Sequence, residues 1–239
     1  MTEQLRVEMM SRKAILWRCL HGGSLTADSI EKKNDEEAIP RLEFRTRNVS
    51  LLTNLIDVYG SCAVVVRAGN RFVGHLRFYP KTICEVTESG PGMCLQQEFP
   101  YGPAQDFGRR KFPPLARIED KTLRVHCLML TPAEPGGESY RRKGIGTRMA
   151  RTLVEWASEN GWRAIEATAY EGLPIVFDIT GQAGRSFWEK IGFRLIRTDR
   201  EPALEEESDF VLRMREEARA RSLDPAMIKN RYIMRLDLE

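Results

Sequence analysis

Apolar residues recur at three- and four-residue intervals over one stretch of the second half of the chain, at Ile145, Met149, Leu153 and Trp156. This spacing predicts an amphipathic helix with one apolar face, and Asn160-Gly161 provides a stop signal just after it. Elsewhere, apolar runs bounded by turn residues predict strands. These strands cover residues 41–46, 62–67, 71–79, 123–130, 163–170, 193–197 and 231–238. A turn at residues 68–70 is expected to join two of them as a hairpin.

The pattern also suggests how the chain is organised. Residues 1–40 are predicted to form a helical extension packed on the core, and residues 41–239 to form the main domain. Ser50 is a suitable N-cap for a helix over residues 50–59. Residues 81–120 are rich in proline and glycine and are predicted to be a loop insertion. Residues 201–222 are strongly charged and are predicted to be a helical insertion with a solvated face.

Composition argues against several classes of protein. With 239 residues and 42% hydrophobic content, the chain can bury one substantial core. The net charge of +3 is too small to indicate a dedicated nucleic-acid binder. No apolar run approaches the roughly 20 residues that cross a bilayer, and the charged N-terminus does not resemble a secretory signal. We therefore expect a cytoplasmic protein without membrane partners.

Cysteine and histidine usage indicates neither a metal site nor a disulfide framework. The 5 cysteines are scattered without a Cys-x-x-Cys pair, and the 3 histidines are isolated from one another. Cys62 and Cys127 lie inside apolar strands, as is typical of buried thiols in a reducing compartment. No metal is expected.

The segment Tyr140-Arg141-Arg142-Lys143-Gly144-Ile145-Gly146-Thr147 conflicts with the local rules of helix formation. Its cations crowd a helix N-terminus, where the helix dipole favours negative charge by roughly 0.3–1 kcal/mol per group. Each helical glycine costs about 0.8–1.0 kcal/mol relative to alanine. A bound pyrophosphate would reverse this balance, because its oxygens would accept from free backbone N–H groups and pair with the cations. The alternative is a basic surface turn that happens to contain two glycines.

Two common phosphate-binding loops do not fit this segment. A P-loop needs Ser or Thr after its lysine, and Lys143 is followed by Gly144. A dinucleotide-binding fingerprint needs a glycine where this chain has Met149. The remaining pattern, Arg141-x-x-Gly144-x-Gly146, resembles the acetyl-CoA-binding motif of the GNAT acetyltransferase superfamily.

A second stretch strengthens the resemblance. Residues 184–193 end in Trp188-Glu189-Lys190-Ile191-Gly192-Phe193, which looks like the second GNAT signature, a short helix followed by Gly-Phe and a strand. Gly192 is a plausible helix C-cap. The two motifs follow in order with one predicted strand between them, and the resemblance covers roughly residues 62–197.

This resemblance implies an α/β (α+β) fold, with a central mixed, mostly antiparallel sheet flanked by helices and with splayed fourth and fifth strands. It implies an acyl-CoA-dependent N-acetyltransferase, with acetyl-CoA as cosubstrate and an amine on a small molecule or a protein as acceptor. The implied cofactor-binding residues are Leu128, Met129, Leu130, Arg141, Arg142, Lys143, Gly144, Ile145, Gly146, Thr147 and Trp188. Two alternatives stay open: a CoA-binding sensor without turnover, and an acyltransferase similar to acyl-homoserine-lactone synthases, which the hairpin end at residues 73–80 faintly resembles.

Three residues are candidates for acid–base chemistry. Glu166 lies on a predicted strand and His126 on the preceding one, so either could remove the amine proton. A structural ion pair between Glu166 and Arg124 or Arg163 is the alternative, and a lone strand histidine is also often structural. The family often has a tyrosine at position 188 that protonates the departing sulfur, but Trp188 is no acid at neutral pH. Tyr170 or a water is then the candidate acid.

The acceptor is not identified by the sequence. In the family the acceptor cleft is built from early helices and variable loops, which correspond here to residues 1–59, 81–120 and 171–180. The aromatic residues of the loop insertion are apolar anchors that a disordered linker would lack, and they are Phe99, Tyr101, Phe107 and Phe112. We expect this insertion to form a wall or lid facing the acceptor. Gly181 stands where the family often has Asn, with Gln182 as its nearest substitute.

Overall fold

The computed structural model describes residues 4–17, 20, 25–26, 38–87, 111–131 and 140–239. The strands in this part of the chain are β1 (Leu5–Met9), β2 (Leu25–Thr26), β3 (Ala63–Ala68), β4 (Arg71–Pro80), β5 (Thr122–Leu130), β6 (Ala164–Ala169), β7 (Arg194–Arg200) and β8 (Asn230–Asp237). The helices are α1 (Ala38–Tyr59), α2 (Lys81–Thr87), α3 (Ile145–Glu159), α4 (Pro174–Thr180), α5 (Arg185–Glu189) and α6 (Asp209–Ala220).

All of these strands join one 8-stranded sheet. Its main order is β1-β3-β4-β5-β6-β8-β7, and β2 pairs with β4. The β5–β6 pair is parallel, and the other pairs among the described strands are antiparallel. A parallel pair needs a crossover connection, which α3 provides between β5 and β6. The fold is therefore the mixed, mostly antiparallel α/β architecture that the resemblance implies.

Helix α3 forms because its apolar face has a sheet to cover. The buried residues of this helix are Ile145, Met149, Ala150, Leu153 and Ala157. The helix packs against β1, β3 and β4, and the ring of Trp156 lies 5.2 Å from that of Phe78 on β4. This confirms the amphipathic helix predicted from the sequence, and the packing fixes the start of α3 beside the end of β5.

Within residues 1–40, the described segment 5–9 differs from the prediction of a helical extension. Residues Leu5–Met9 form an edge strand that pairs antiparallel with β3. Arg6 and Glu8 are exposed, while the apolar residues between them are half-buried. This period of two is the pattern of a strand with one face on the core, and it was present in the sequence but spans only five residues.

Residues 41–46 are helical and not the strand that we predicted. They lie inside α1, which runs from Ala38 to Tyr59 and so begins well before Ser50. Pro40 stands in the first turn of this helix, where its missing N–H removes no helical hydrogen bond. Pro40 thus marks a helix start.

Both predicted insertions have described parts that pack on the domain. The loop insertion begins with helix α2, and near its end Phe112 is buried with its ring 6.5 Å from that of Tyr59. The predicted anchors Phe99, Tyr101 and Phe107 lie outside the described residues. The helical insertion contains α6, which packs on α4. Together they bury a second apolar cluster of Tyr170, Leu173, Ile175, Val176, Leu204, Val211, Met214, Ala218 and Ile228.

Across the ranges that the structure describes, no helix combines the length and the apolar character needed to cross a membrane.

Candidate cofactor and active site

Strands β5 and β6 splay apart halfway along their length. Their parallel register runs from Thr122 opposite Ala164 to Val125 opposite Ala167 and then stops. At the same point the pairing of β5 with β4 shifts, because Arg77 lies opposite Cys127 while Phe78 lies opposite Val125. His126 is therefore the extra residue of a β-bulge. A bulge bends its strand and interrupts pairing, and this one opens a gap between β5 and β6.

A turn after α4 lies in that gap. The N–H of Leu128 donates to the carbonyl oxygen of Gly181 at 2.8 Å, and the side-chain amide of Gln182 donates to the carbonyl oxygen of His126 at 2.7 Å. Gly181 has a φ of 68°, and a β-carbon there would lie 3.0 Å from Cγ of Met129. Glycine is thus required by both the backbone and the space. The turn thus occupies the N–H of Leu128, a residue that the resemblance implies for cofactor binding.

The remaining N–H groups of β5 point in alternate directions. The N–H of Thr131 donates to the carbonyl oxygen of Val73 on β4 at 2.9 Å. By the alternation of an antiparallel ladder, Met129 also faces β4, and Leu130 faces the open side of β5. Leu128 and Leu130 therefore both direct their N–H groups into the gap. The N–H of Leu128 is bonded to Gly181, so the N–H of Leu130 is the one that the turn leaves open.

The predicted phosphate loop leads into α3 without a cap. Gly144 is the N-cap residue with a φ of 73°, and no side chain caps the helix. Arg142 also has a positive φ, of 59°. The first helical hydrogen bond runs from the N–H of Arg148 to the carbonyl oxygen of Gly144 at 3.0 Å. The N–H groups before Arg148 are those that an α-helix leaves without helical partners, and the first turn contains no acidic residue.

A cavity of about 440 Å³ opens at this helix start. Its lining combines the end of β5, the loop before α3 and the segment from β6 to α5. The lining residues are Leu128, Leu130, Arg141, Arg142, Gly144, Ile145, Gly146, Thr147, Gly172, Leu173, Pro174, Phe177, Asp178, Ala183, Gly184, Ser186, Phe187 and Arg221. The structure thus brings most of the predicted cofactor-binding residues together around one cavity, whereas Met129, Lys143 and Trp188 are not part of its wall.

Glycines keep the loop side of this cavity open. A β-carbon on Gly144 would meet no atom within 4 Å, so it would enter free space beside the loop. A β-carbon on Gly146 would lie 3.4 Å from the ring of Phe187 on α5. The absence of both β-carbons leaves backbone N–H groups accessible from the cavity, which suits an anionic ligand that must approach the backbone closely.

Arg141 is held by the opposite wall. Its guanidinium forms an ion pair with Asp178 and lies over the ring of Phe177, 5.6 Å from the centroid. Both partners belong to α4. From the sequence we expect residues 171–180 in the acceptor cleft, whereas Pro174 begins a helix that Gly181 ends and that lines the same cavity as the predicted phosphate loop. Proline at the first helical position and glycine just after the helix were the signals that could have revealed it.

Glu166 lies at the centre of an ion-pair cluster. Its carboxylate is 3.0 Å from Lys81, 3.4 Å from Arg124 and 3.0 Å from Arg235. The last two flank Glu166 on the neighbouring strands β5 and β8. Burial raises the pKa of Glu166, but these cations outweigh burial and hold its pKa below the ordinary value. This geometry favours the structural ion pair over the general base, because three cations already pair with the carboxylate oxygens that would have to accept the proton.

His126 offers a ring nitrogen that no described residue occupies, but burial makes this ring a weaker base than a free histidine. Its Nε2 is buried and has no hydrogen-bond partner among the described residues. Its ring lies 5.6 Å from that of Tyr79, whose hydroxyl is also buried. Burial, together with the nearby positive charge of Arg77, lowers the pKa of His126 to about 4. The imidazole is therefore neutral at physiological pH and can accept a proton.

The two aromatic candidates lie away from the cavity wall. The hydroxyl of Tyr170 donates to Glu201 at 2.8 Å, and the side chain is buried in the apolar cluster beneath α6. Trp188 is 1% exposed and packs in the main core with its ring 4.9 Å from that of Phe193. Its position is that of a core residue, and its indole cannot serve as an acid.

No group of three or more His, Cys, Asp or Glu side chains within the described ranges could hold a metal ion. Cys62, Cys84 and Cys127 are buried. Burial raises the pKa of Cys62 to about 12, so this thiol is protonated at neutral pH.

Comparison with protein families identifies the segment around the phosphate loop. Residues 137–193 match the model of the acetyltransferase (GNAT) family. The matched segment contains both motifs on which the sequence resemblance rests. No curated protein matches the chain significantly.

Solved structures match nearly the whole chain at low identity. A GNAT-family acetyltransferase from Streptococcus pneumoniae is 12% identical, covers 99% of this chain and 100% of its own, and has a TM-score of 0.51. The protein yncA from Salmonella typhimurium, assigned as an acetyltransferase and determined with acetyl-CoA, is 10% identical, with coverage of 99% and 95% and a TM-score of 0.49. An IAA acetyltransferase from Bacillus cereus is 14% identical, with coverage of 98% and 100% and a TM-score of 0.44. At such identities the likeness shows the fold alone. Among the three, the Streptococcus pneumoniae structure supports this, because its TM-score is above 0.5.

Proposed function

Because residues 137–193 are a segment of the GNAT acetyltransferase family, we propose that this chain is an acyl-CoA-dependent N-acetyltransferase that moves an acetyl group from acetyl-CoA to an amine. The observation that carries the proposal is the cavity of about 440 Å³ at the start of α3, which is in the size range of small-molecule sites. Its wall combines cations, uncapped helical N–H groups and glycines. We place the protein in the cytoplasm, where a buried thiol such as that of Cys62 would stay reduced.

The residues around the cavity fit CoA. The N–H groups of Ile145, Gly146 and Thr147 would receive the pyrophosphate, with Arg142 as a neighbouring cation. The apolar side chains of Leu128, Leu130 and Phe187 line the same cavity and suit the pantetheine arm. Acetyl-CoA would supply the acetyl group as a thioester. The N–H of Leu130 is the donor that we propose for the negative charge that develops on the carbonyl oxygen.

His126 is the proposed general base. The acceptor nitrogen must lose a proton as it bonds to the acyl carbon and the carbon–sulfur bond breaks. His126 is neutral at physiological pH, and its carbonyl is bonded to Gln182, next to Ala183 in the cavity wall. Glu166 is assigned the structural role of holding β5, β6 and β8 together through its ion pairs. The proton donor for the thiolate would be a water, because the Tyr170 hydroxyl is bonded to Glu201.

Replacing His126 with glutamine is expected to lower kcat/KM by about 100-fold or more, which is the usual contribution of a positioned base. In the wild type, the acidic limb of kcat/KM against pH should lie near pH 4, because burial lowers the pKa of His126 to about 4. The variant should lose that limb. His75→Gln is the matched control, since His75 is a buried strand histidine whose Nε2 lies 3.3 Å from Cys127, whereas Nε2 of His126 has no partner among the described residues. Neither histidine is among the residues that line the cavity. A His126→Gln variant with the wild-type rate and the same limb would exclude His126 as the base.

The function itself is tested by measuring thiol release from acetyl-CoA with a panel of small amines and peptide N-termini. We expect amine-dependent release with at least one member, and mass spectrometry should find the acetylated amine. Calorimetric binding of acetyl-CoA with no release from any amine would favour the CoA-binding sensor instead. Absence of binding would contradict both. The acyl-homoserine-lactone-synthase-like alternative is not favoured, since the family match contains the Arg141-x-x-Gly144-x-Gly146 loop.

A further inference from the structure

One cavity residue comes from outside the segment that resembles the family. Arg221 follows the last residue of α6 in the helical insertion between β7 and β8, and its side chain lines the cavity. The family match ends at residue 193. Neither the motifs nor the comparisons therefore assign a role to this arginine.

A shared carboxylate fixes the position of Arg221. Its Nε donates to Oε1 of Glu217 at 3.1 Å. The other oxygen of Glu217 accepts from the N–H of Ile175 in the first turn of α4, also at 3.1 Å. One side chain thus ties Arg221 to the helix that forms the opposite wall from the phosphate loop. The terminal nitrogens of Arg221 have no hydrogen-bond partner among the residues that the structure describes, and the side chain is 43% exposed.

The charges around the cavity are unbalanced. Its charged lining residues are Arg141, Arg142, Arg221 and Asp178. Asp178 pairs with Arg141, and Arg221 pairs through its Nε with Glu217, which does not line the cavity. Arg142 on the loop and the terminal nitrogens of Arg221 are thus left without an acid from the lining. Two separated cations suit a ligand with two separated anionic groups. CoA has a pyrophosphate and, on its ribose, a 3′-phosphate monoester.

We propose that Arg221 binds the 3′-phosphate of CoA, so that the helical insertion makes the site selective for CoA over dephospho-CoA. The inference rests on the proposed function, because the pyrophosphate must occupy the start of α3 for the second phosphate to remain for Arg221. A guanidinium matches a phosphate monoester through two parallel N–H···O bonds. Such bonds add affinity for the phosphorylated ligand alone.

The test is calorimetric titration of the full chain with CoA and with dephospho-CoA. We expect Arg221→Ala to bind CoA about tenfold more weakly than the wild type, with unchanged affinity for dephospho-CoA. Arg219→Ala is the matched control, because Arg219 is an exposed arginine in the last turn of the same helix and does not line the cavity. It should bind both ligands as the wild type does.

The outcomes separate this inference from the proposed function. Equal losses for both ligands in Arg221→Ala, or no loss for either, would overturn the role of Arg221 while the wild type still binds CoA. A wild type that binds neither ligand would overturn the proposed function and this inference with it. Thermal unfolding of the three proteins should coincide within a few degrees, since the substituted arginines are exposed surface residues.

Discussion

Replacing Gly146 with valine is expected to weaken acetyl-CoA binding by at least about 100-fold while the chain still folds. A β-carbon at this position would lie 3.4 Å from the Phe187 ring, so the first added atom fits and the methyl groups beyond it must enter the cavity or press on that ring. Two charge-assisted hydrogen bonds from the helix start are worth roughly 3 kcal/mol or more together, which is more than 100-fold in affinity. Isothermal calorimetry measures the loss.

The control for this variant is Ser158→Val on the same helix. Ser158 is exposed in the last turn of α3, far along the helix from its uncapped start. The Ser158→Val variant tests how much a β-branched residue destabilises this helix when it lies outside the cavity. This variant should bind acetyl-CoA as the wild type does. The free energy of unfolding of either variant should change by less than about 2 kcal/mol. Unchanged acetyl-CoA affinity in folded Gly146→Val would remove the phosphate loop from the site.

The second large effect is expected on stability. Glu166→Gln should reduce the free energy of unfolding by about 2–4 kcal/mol, because it leaves three cations around a buried position without their carboxylate. The range extends down to about 2 kcal/mol because the side chains of Lys81 and Arg235 are 25% and 26% exposed, so water partly solvates these two cations when the carboxylate is removed. Urea denaturation at pH 7 measures the change. The rate of the folded variant should stay within a few fold of wild type if His126 is the base.

The pH dependence has a defined sign. The ion pairs hold the pKa of Glu166 below its ordinary value in the folded state, whereas the unfolded chain has a value near 4.3. The unfolded state therefore binds more protons as the pH falls through this region, and the stability from Glu166 is lost. The difference in the free energy of unfolding between the wild type and Glu166→Gln should have its largest value above about pH 5 and should decrease below about pH 4.

Glu205→Gln provides the matched comparison. Glu205 also pairs with two cations, Arg200 and Lys229, but its side chain is 45% exposed. Exposed ion pairs contribute little because water screens them, so this variant should lose much less stability than Glu166→Gln. Equal losses for the two variants would show that the burial of Glu166 does not matter. A 100-fold loss of rate in Glu166→Gln would instead return Glu166 to the role of base.

Much of the second half of the chain was predictable from local patterns. The strand before the phosphate loop, the amphipathic helix and the strand after it appear as β5, α3 and β6. In the first half of the chain, the predicted hairpin of residues 62–79 also appears, as β3 and β4. Each of these elements is long, strongly patterned and bounded by turn residues, so its local preference and its place in the core agree. The elements that were missed or wrong include the five residues of β1, the seven of α4 and the first part of the 22-residue α1, where residues 41–46 were predicted as a strand.

For the candidate site too, one part could be predicted from the sequence and another part could not. The sequence alone determined the loop around Gly144 and Gly146, because the conflict between cations, glycines and a helix start is local and needs only neighbouring residues to be seen. Only the tertiary structure decided which groups surround that loop. The Gly181–Gln182 turn bonded to β5, the ion pairs of Glu166 and the approach of Arg221 join residues between 42 and 85 positions apart. Such contacts depend on the packing of whole elements, and no spacing along the chain encodes them.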